Sequence, residues 1–152
     1  MGGGAGLLAA CDMAVAVKGT KIAFSEVRLG LIPATIAPYV VEAVGARKAR
    51  QLFLTGNVMD ADYAAHIGLV DAVLPDADAI DGFVGMLSDS LKANAPGAMG
   101  ESKRLVHHVA GRTIDRSLME DTAKRIARAR VSEEGQEGVR AFLDKRKAVW
   151  SS

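Results

Sequence analysis

Residues 2–33 read GGGAGLLAACDMAVAVKGTKIAFSEVRLGLIP, and this stretch decides the fold. Gly2, Gly3 and Gly4 run straight into apolar residues at helical spacing, so unencumbered backbone N–H groups stand at a helix start, where negative charge is held. Asp12 ends that short helix. Residues 13–17 are apolar and partly β-branched, which predicts a strand closed by the turn Lys18-Gly19-Thr20-Lys21. Ile22, Phe24 and Ser25 then lead into Glu26, whose neighbours Val27, Leu29, Leu31 and Ile32 are apolar and whose nearest charge is Arg28. Two readings are open for Glu26. Partial desolvation would favour its protonated form and suit it to proton exchange near neutral pH; alternatively it is a surface side chain paired with Arg28.

Outward from this stretch, Pro33 and Pro38 bracket a loop, and residues 39–44 form a helix stopped by Gly45. A second helix over 47–54 turns Ala49, Leu52 and Phe53 inward, ends at Gly56, and leaves Arg47, Lys48 and Arg50 on a solvated face. Asp60 caps a helix over 61–67, Gly68 ends it, and residues 69–74 return as a strand. From Asp76 the period changes to sustained helix. Ile80, Phe83, Val84, Leu87 and Leu91 mark one helix, broken at Asn94-Ala95-Pro96-Gly97; the acidic residues 76–81 are its solvated start. Residues 99–109 follow with Leu105 and Val106 inward, and Ile114, Leu118, Met119 and Ile126 mark a long amphipathic helix to about residue 130. Ser132 caps the last helix, with Val139, Phe142 and Leu143 as its buried stripe. The chain therefore divides into a β/α part, 1–75, and a helical region, 76–152.

With 152 residues and 49% hydrophobic content the chain has the size of one domain and enough apolar material for a core. A net charge of +1, with 5% aromatic residues, argues against RNA or other nucleic acid as a partner. Cys11 is the single cysteine, so no intrachain disulfide forms; it reads as a small core residue, and a reducing compartment fits. Charges or glycines interrupt every apolar run short of a membrane span. His66, His107 and His108 lack metal-ligand spacing and partners, so no metal is expected. Met59, Met86, Met99 and Met119 read as core or interface filler.

GGGAGLLAACD, the fourteen-residue spacing from Asp12 to Glu26, SEVRLGLIPA, ARKARQLFLTG, DADYAAHIGLVDAVLP and EGQEGVRAFLDKRKAVW occur in one order that resembles the crotonase (enoyl-CoA hydratase/isomerase) superfamily. The runs SEVRLGLIPATIAPYVV and EGQEGVRAFLDKR are most similar to bacterial methylglutaconyl-CoA hydratases. The resemblance implies an α/β fold, the C-terminal portion of a ClpP/crotonase-like ββα spiral, followed by helices that trimerise. It also implies about a hundred further residues before Met1, a size within ordinary domain lengths, carrying one of two oxyanion donors and much of the coenzyme A pocket. Glu26 matches the family's second glutamate, which exchanges a proton with substrate, and the Gly3 N–H matches the oxyanion donor present in this stretch. Gly2, Gly4, Gly6, Leu31, Pro33, Phe142 and Lys145 take substrate-binding positions, Lys145 at the phosphate and adenine end of coenzyme A. Gly6 stands where typical hydratases carry their first glutamate, although methylglutaconyl-CoA hydratases tend to have a small residue there.

What the resemblance implies is water addition to an enoyl-CoA thioester, 3-methylglutaconyl-CoA first, in leucine or fatty acid metabolism. The alternatives are a single-carboxylate enoyl-CoA isomerase and a non-catalytic chain that assembles without binding acyl-CoA. Coenzyme A enters as part of the substrate and no cofactor is implied. The expected setting is cytoplasmic, in a homotrimer or dimer of trimers, with no nucleic acid or membrane partner.

Overall fold

The computed structural model describes residues 3–151. The chain forms two compact units, Met1–Gly82 and Phe83–Ser152.

The first unit begins with α1 (Gly3–Ala9), followed by β1 (Val15–Val17), β2 (Lys21–Ile22), a 3-10 turn (Glu26–Leu29), α2 (Ala37–Thr55), β3 (Met59–Asp60), α3 (Ala61–His66) and β4 (Ala72–Leu74). β1 and β4 are parallel, with Val15 opposite Ala72 and Val17 opposite Leu74. A parallel pair needs a long crossover, which the intervening helices supply. Asp71 locks the near end of the pair: its N–H donates to Ala14 O at 2.7 Å, and its Oδ2 accepts from Ala14 N at 2.7 Å. β2 and β3 form an antiparallel pair, Lys21 opposite Asp60 and Ile22 opposite Met59.

Helix boundaries follow the backbone chemistry read from the sequence. α2 is broken at Gly45, where φ is +75° and ψ 156°, and ends on Gly56 in the left-handed region, whose N–H donates to Leu52 O. Asp60 Oδ1 accepts from Tyr63 N at 2.8 Å and caps α3. Phe24 and Val40 are fully buried, and Phe24 meets Phe53 edge-on at 5.5 Å between centroids. Ala49 and Leu52 are buried beside them as expected, with Phe53 half-buried. The strands are shorter than expected. Met13 is exposed, and Leu69 N–H and Val70 N–H turn back onto Ala64 O, so that their side chains fill the core ahead of β4.

The second unit contains α4 (Asp78–Lys92) from Phe83 onward, α5 (Pro96–Val109), α6 (Arg116–Val131), α7 (Glu133–Leu143) and a 3-10 turn (Val149–Ser151). Asp115 Oδ1 caps α6 through Leu118 N at 2.8 Å, and Ser132 Oγ caps α7 through Gly135 N at 3.1 Å. Glu134 reaches from α7 to the start of α5, accepting from Gly97 N and Ala98 N at 2.9 Å each.

Several inward assignments are corrected here. On α7 the buried residue is Ala141, while Val139, Phe142 and Leu143 are exposed, Phe142 at 81%. On α6 only Leu118 is buried; Met119, Ile126 and Ile114 just before the helix are exposed, as is Val106 on α5. A Cβ built on Gly135 would overlap Ala129 O and lie 3.1 Å from Ala129 C, so α6 and α7 are joined tightly, backbone against backbone, at the Ser132 link. Cys11 is also exposed, lying beyond the last turn of α1 with Sγ near Leu7 O at 3.3 Å. Of the methionines, Met59 is buried, Met99 half-buried, and Met86 and Met119 exposed.

Candidate active site

Glu26 is the first residue of the 3-10 turn, and its backbone is held firmly. Gly30, at φ +70°, donates its N–H to the carbonyls of Glu26 and Val27, and Leu31 N–H donates to Glu26 O at 3.1 Å. A side-chain-bearing residue would be strained at Gly30, so the glycine is what lets the turn close. Buried Phe24 anchors the chain two residues earlier.

The carboxylate itself is not satisfied. Among the described residues, Glu26 Oε2 is buried and accepts no hydrogen bond. An unmet buried acceptor costs about 1–3 kcal/mol and calls for an explanation, of which a catalytic role is one. Arg28 does not provide the partner. Its Nε lies 3.4 Å from where a Cβ on Gly56 would stand, which places the arginine against the end of α2. The surface ion-pair reading of Glu26 is therefore set aside.

Gly3 opens α1 and is exposed, as is Gly4; a Cβ built on either meets nothing within 4 Å. Gly2 lies outside the described residues. Neighbours in the chain do not require Gly3 or Gly4 to lack side chains, so any such requirement comes from what approaches the loop. Gly6 is different. It is buried, and a Cβ there would overlap Ile36 Cγ2 and stand 2.9 Å from Ile36 Cβ. A glutamate at this position does not fit against Ile36, so the missing first carboxylate and the bulk of Ile36 belong together. Ile36 was not visible as a site residue; its β-branched bulk in a loop just before a Pro-started helix was the available signal.

Both α1 and the 3-10 turn pack on α2, which sets the glycine loop and Glu26 on one support. Leu31 is 59% exposed and Pro33 half-buried in the loop from Glu26 to α2. Phe142 and Lys145 lie in the second unit. Both are exposed, and Lys145 holds φ +53° just past the end of α7.

The shifted carboxylates lie elsewhere, each paired with an arginine. Hydrogen bonding from Arg146 holds Glu137 down at about 2, with Val149 N–H also contributing; Arg104 lowers Glu101, and Arg125 lowers Asp121. No group of three or more potential metal ligands occurs among the described residues. An open groove of about 410 Å³ in the second unit, lined by Val84, Leu87, Leu91, Met99 and Trp150 among others, contains no carboxylate. Among the described residues, Glu26 Oε2 is the buried side-chain polar atom without a hydrogen-bond partner.

Residues 1–152 match the enoyl-CoA hydratase/isomerase family. A Thermus thermophilus protein assigned to the enoyl-CoA hydratases is 33% identical over 146 residues, covering 95% of this chain and 56% of the relative. A mitochondrial Δ(3,5)-Δ(2,4)-dienoyl-CoA isomerase of Dictyostelium discoideum is 28% identical, covering 99% and 51%. A Legionella pneumophila structure assigned to enoyl-CoA hydratase/isomerase (crotonase) superposes with a TM-score of 0.91 at 48% identity, covering 98% of this chain and 57% of that one. The chain thus spans about half the length of these relatives. With the motif order, the fold and the family match in agreement, the chain belongs to the enoyl-CoA hydratase/isomerase family and has the crotonase fold.

Proposed function

We propose that this chain supplies the proton-transfer carboxylate of an enoyl-CoA hydratase, with Glu26 acting on a bound acyl-CoA thioester. The supporting observation is Glu26 Oε2, buried without a hydrogen-bond partner at the position of the family's second glutamate. In hydration, the Glu26 carboxylate takes a proton from water as the water oxygen bonds to the β-carbon. The electron pair of the double bond moves to form an enolate whose charge rests on the thioester oxygen. The Gly3 N–H is the donor to that oxygen. Glu26 then returns the proton to the α-carbon, so that one water is added and the carboxylate is restored. Coenzyme A is the carrier of the substrate, and this sequence of steps uses no cofactor.

The acyl group we assign is 3-methylglutaconyl, on the likeness of the SEVRLGLIPATIAPYVV and EGQEGVRAFLDKR runs to hydratases of leucine breakdown. Gly2, Gly4, Gly6, Leu31 and Pro33 line its approach in this reading, with Phe142 and Lys145 at the coenzyme end, in a cytoplasmic trimer or dimer of trimers. No helix among the described residues is long and apolar enough to cross a membrane.

One observation favours a second reading. Because Ile36 excludes a side chain at Gly6, Glu26 has no second carboxylate from that position, and one carboxylate suffices to move a proton between carbons in enoyl-CoA isomerisation. Glu26→Gln lowers kcat for hydration of 3-methylglutaconyl-CoA by about 10²–10⁴-fold; an unchanged rate removes the assignment. Double-bond migration without water addition would favour the isomerase.

A further inference from the structure

Where the loop from Glu26 enters α2, the chain carries a side chain that helix chemistry does not call for. Ile36 occupies the N-cap of α2, where its carbonyl accepts from Val40 N at 3.1 Å but its side chain caps nothing. Isoleucine is among the poorest residues for that position, since it offers no oxygen to the free N–H groups of a helix start. Its packing runs across to α1 instead. A Cβ built on Gly6 would overlap Ile36 Cγ2 and stand 3.8 Å from Cδ1, so methyls of both branches lie near this one glycine. Ile36 is only half-buried, and the remainder of it is open to a ligand.

We propose that Ile36 is a specificity-determining residue, the apolar wall that limits the size of the branch carried on the β-carbon of the enoyl thioester; this rests on the roles given above to Gly3 and Glu26. Along α1, Gly6 lies about 4.5 Å beyond Gly3. With the thioester oxygen held at the Gly3 N–H, a side chain over Gly6 is within reach of the next carbons of the acyl group and of what they carry. Glu26 stands ten residues before Ile36, at the other end of the same loop, and both α1 and the 3-10 turn pack on α2. Because the wall is hydrocarbon, it accepts an alkyl branch and refuses a larger one for lack of room. A methyl is the branch of the acyl group assigned above.

The test compares 3-methylglutaconyl-CoA with its 3-ethyl homologue as substrates of the whole chain, and 3-methylglutaryl-CoA with 3-ethylglutaryl-CoA as non-reacting ligands in calorimetric titrations. Ile36→Ala raises kcat/KM for the ethyl compound relative to the methyl one by about tenfold or more, the effect of one methylene in an apolar pocket, and shifts the ratio of dissociation constants the same way. Ile36→Val keeps Cγ2 against Gly6 and removes only Cδ1, so it moves both ratios in the same direction by less and guards against a loss of fold in Ile36→Ala. An equal fall for both compounds, or ratios left unmoved while turnover still depends on Glu26, overturns the role of Ile36 and leaves that of Glu26 in place. Dissociation constants that shift in a chain whose turnover is absent or ignores Glu26→Gln keep the wall and remove the proton-transfer reading. No binding of either ligand to the unmodified chain overturns both.

Discussion

At the scale of single residues, the site is defined by one satisfied backbone and one unsatisfied side chain. The Glu26 carbonyl accepts two backbone hydrogen bonds, while its buried Oε2 accepts none. Glu26 was singled out through the family resemblance, since its apolar setting alone left the surface pairing with Arg28 open. Whether Arg28 paired with it was not legible, since that depends on the end of α2, about thirty residues away in sequence. Gly6 could be read only as an absent glutamate until Ile36 was seen against it. Gly6→Ala should destabilise the chain by about 1–3 kcal/mol through overpacking, read as a lower urea midpoint. Ile36→Ala in the same chain should recover part of that loss. A Gly6→Ala chain of unchanged stability would show that Ile36 yields freely.

At the scale of elements, caps and breakers carried most of the information. Gly45, Gly56, Asp60 and Ser132 act where the sequence places them, because these signals are local. The buried faces of α6 and α7 were illegible for the opposite reason. Apolar spacing implies a stripe but does not say which of its residues the fold covers, and Val139, Phe142 and Leu143 stay outside while Ala141 is buried. The β2–β3 pair was missed because two-residue strands exist only through their partner. Lys145 occupies a left-handed position usually given to glycine, so Lys145→Gly should raise stability by about 1 kcal/mol; thermal unfolding that does not move upward would mean the strain is relieved locally.

Beyond α7, Arg146 Nη1 and Nη2 bond Glu137 Oε1 and Oε2 at 2.7 and 2.8 Å, and Val149 N donates to Glu137 Oε1 at 3.2 Å. Glu137 is held at about 2 in the folded chain, below its unfolded value. Its stabilisation is therefore complete above the unfolded value and is lost as pH falls toward about 2. The urea midpoint of the unmodified chain, followed through the fluorescence of its single tryptophan, Trp150, should exceed that of Glu137→Gln near neutral pH. The difference should shrink as acid approaches the folded value. A pH-independent difference would assign the stabilisation to packing.

At the scale of the whole molecule, large apolar side chains remain on the surface of both units, including Leu29 and Ile32 near Glu26 and Val131, Phe142 and Leu143 in the helical region. Exposed apolar area of this kind marks interfaces, and the proposed trimer would use part of it. Light scattering should then give three or six times the mass of the chain, and a stable monomer would contradict that assembly. Which face meets which copy could not be read from sequence, since helical spacing identifies apolar residues without saying what covers them.

The central claim is that Glu26 carries the proton to the α-carbon, and its most direct test is acyl-CoA turnover in deuterium oxide with isotope counting at that carbon. The account predicts one deuterium per turnover in the product of the unmodified protein, and in Glu26→Gln no incorporation above the uncatalysed background. Equal labelling by both proteins would contradict it.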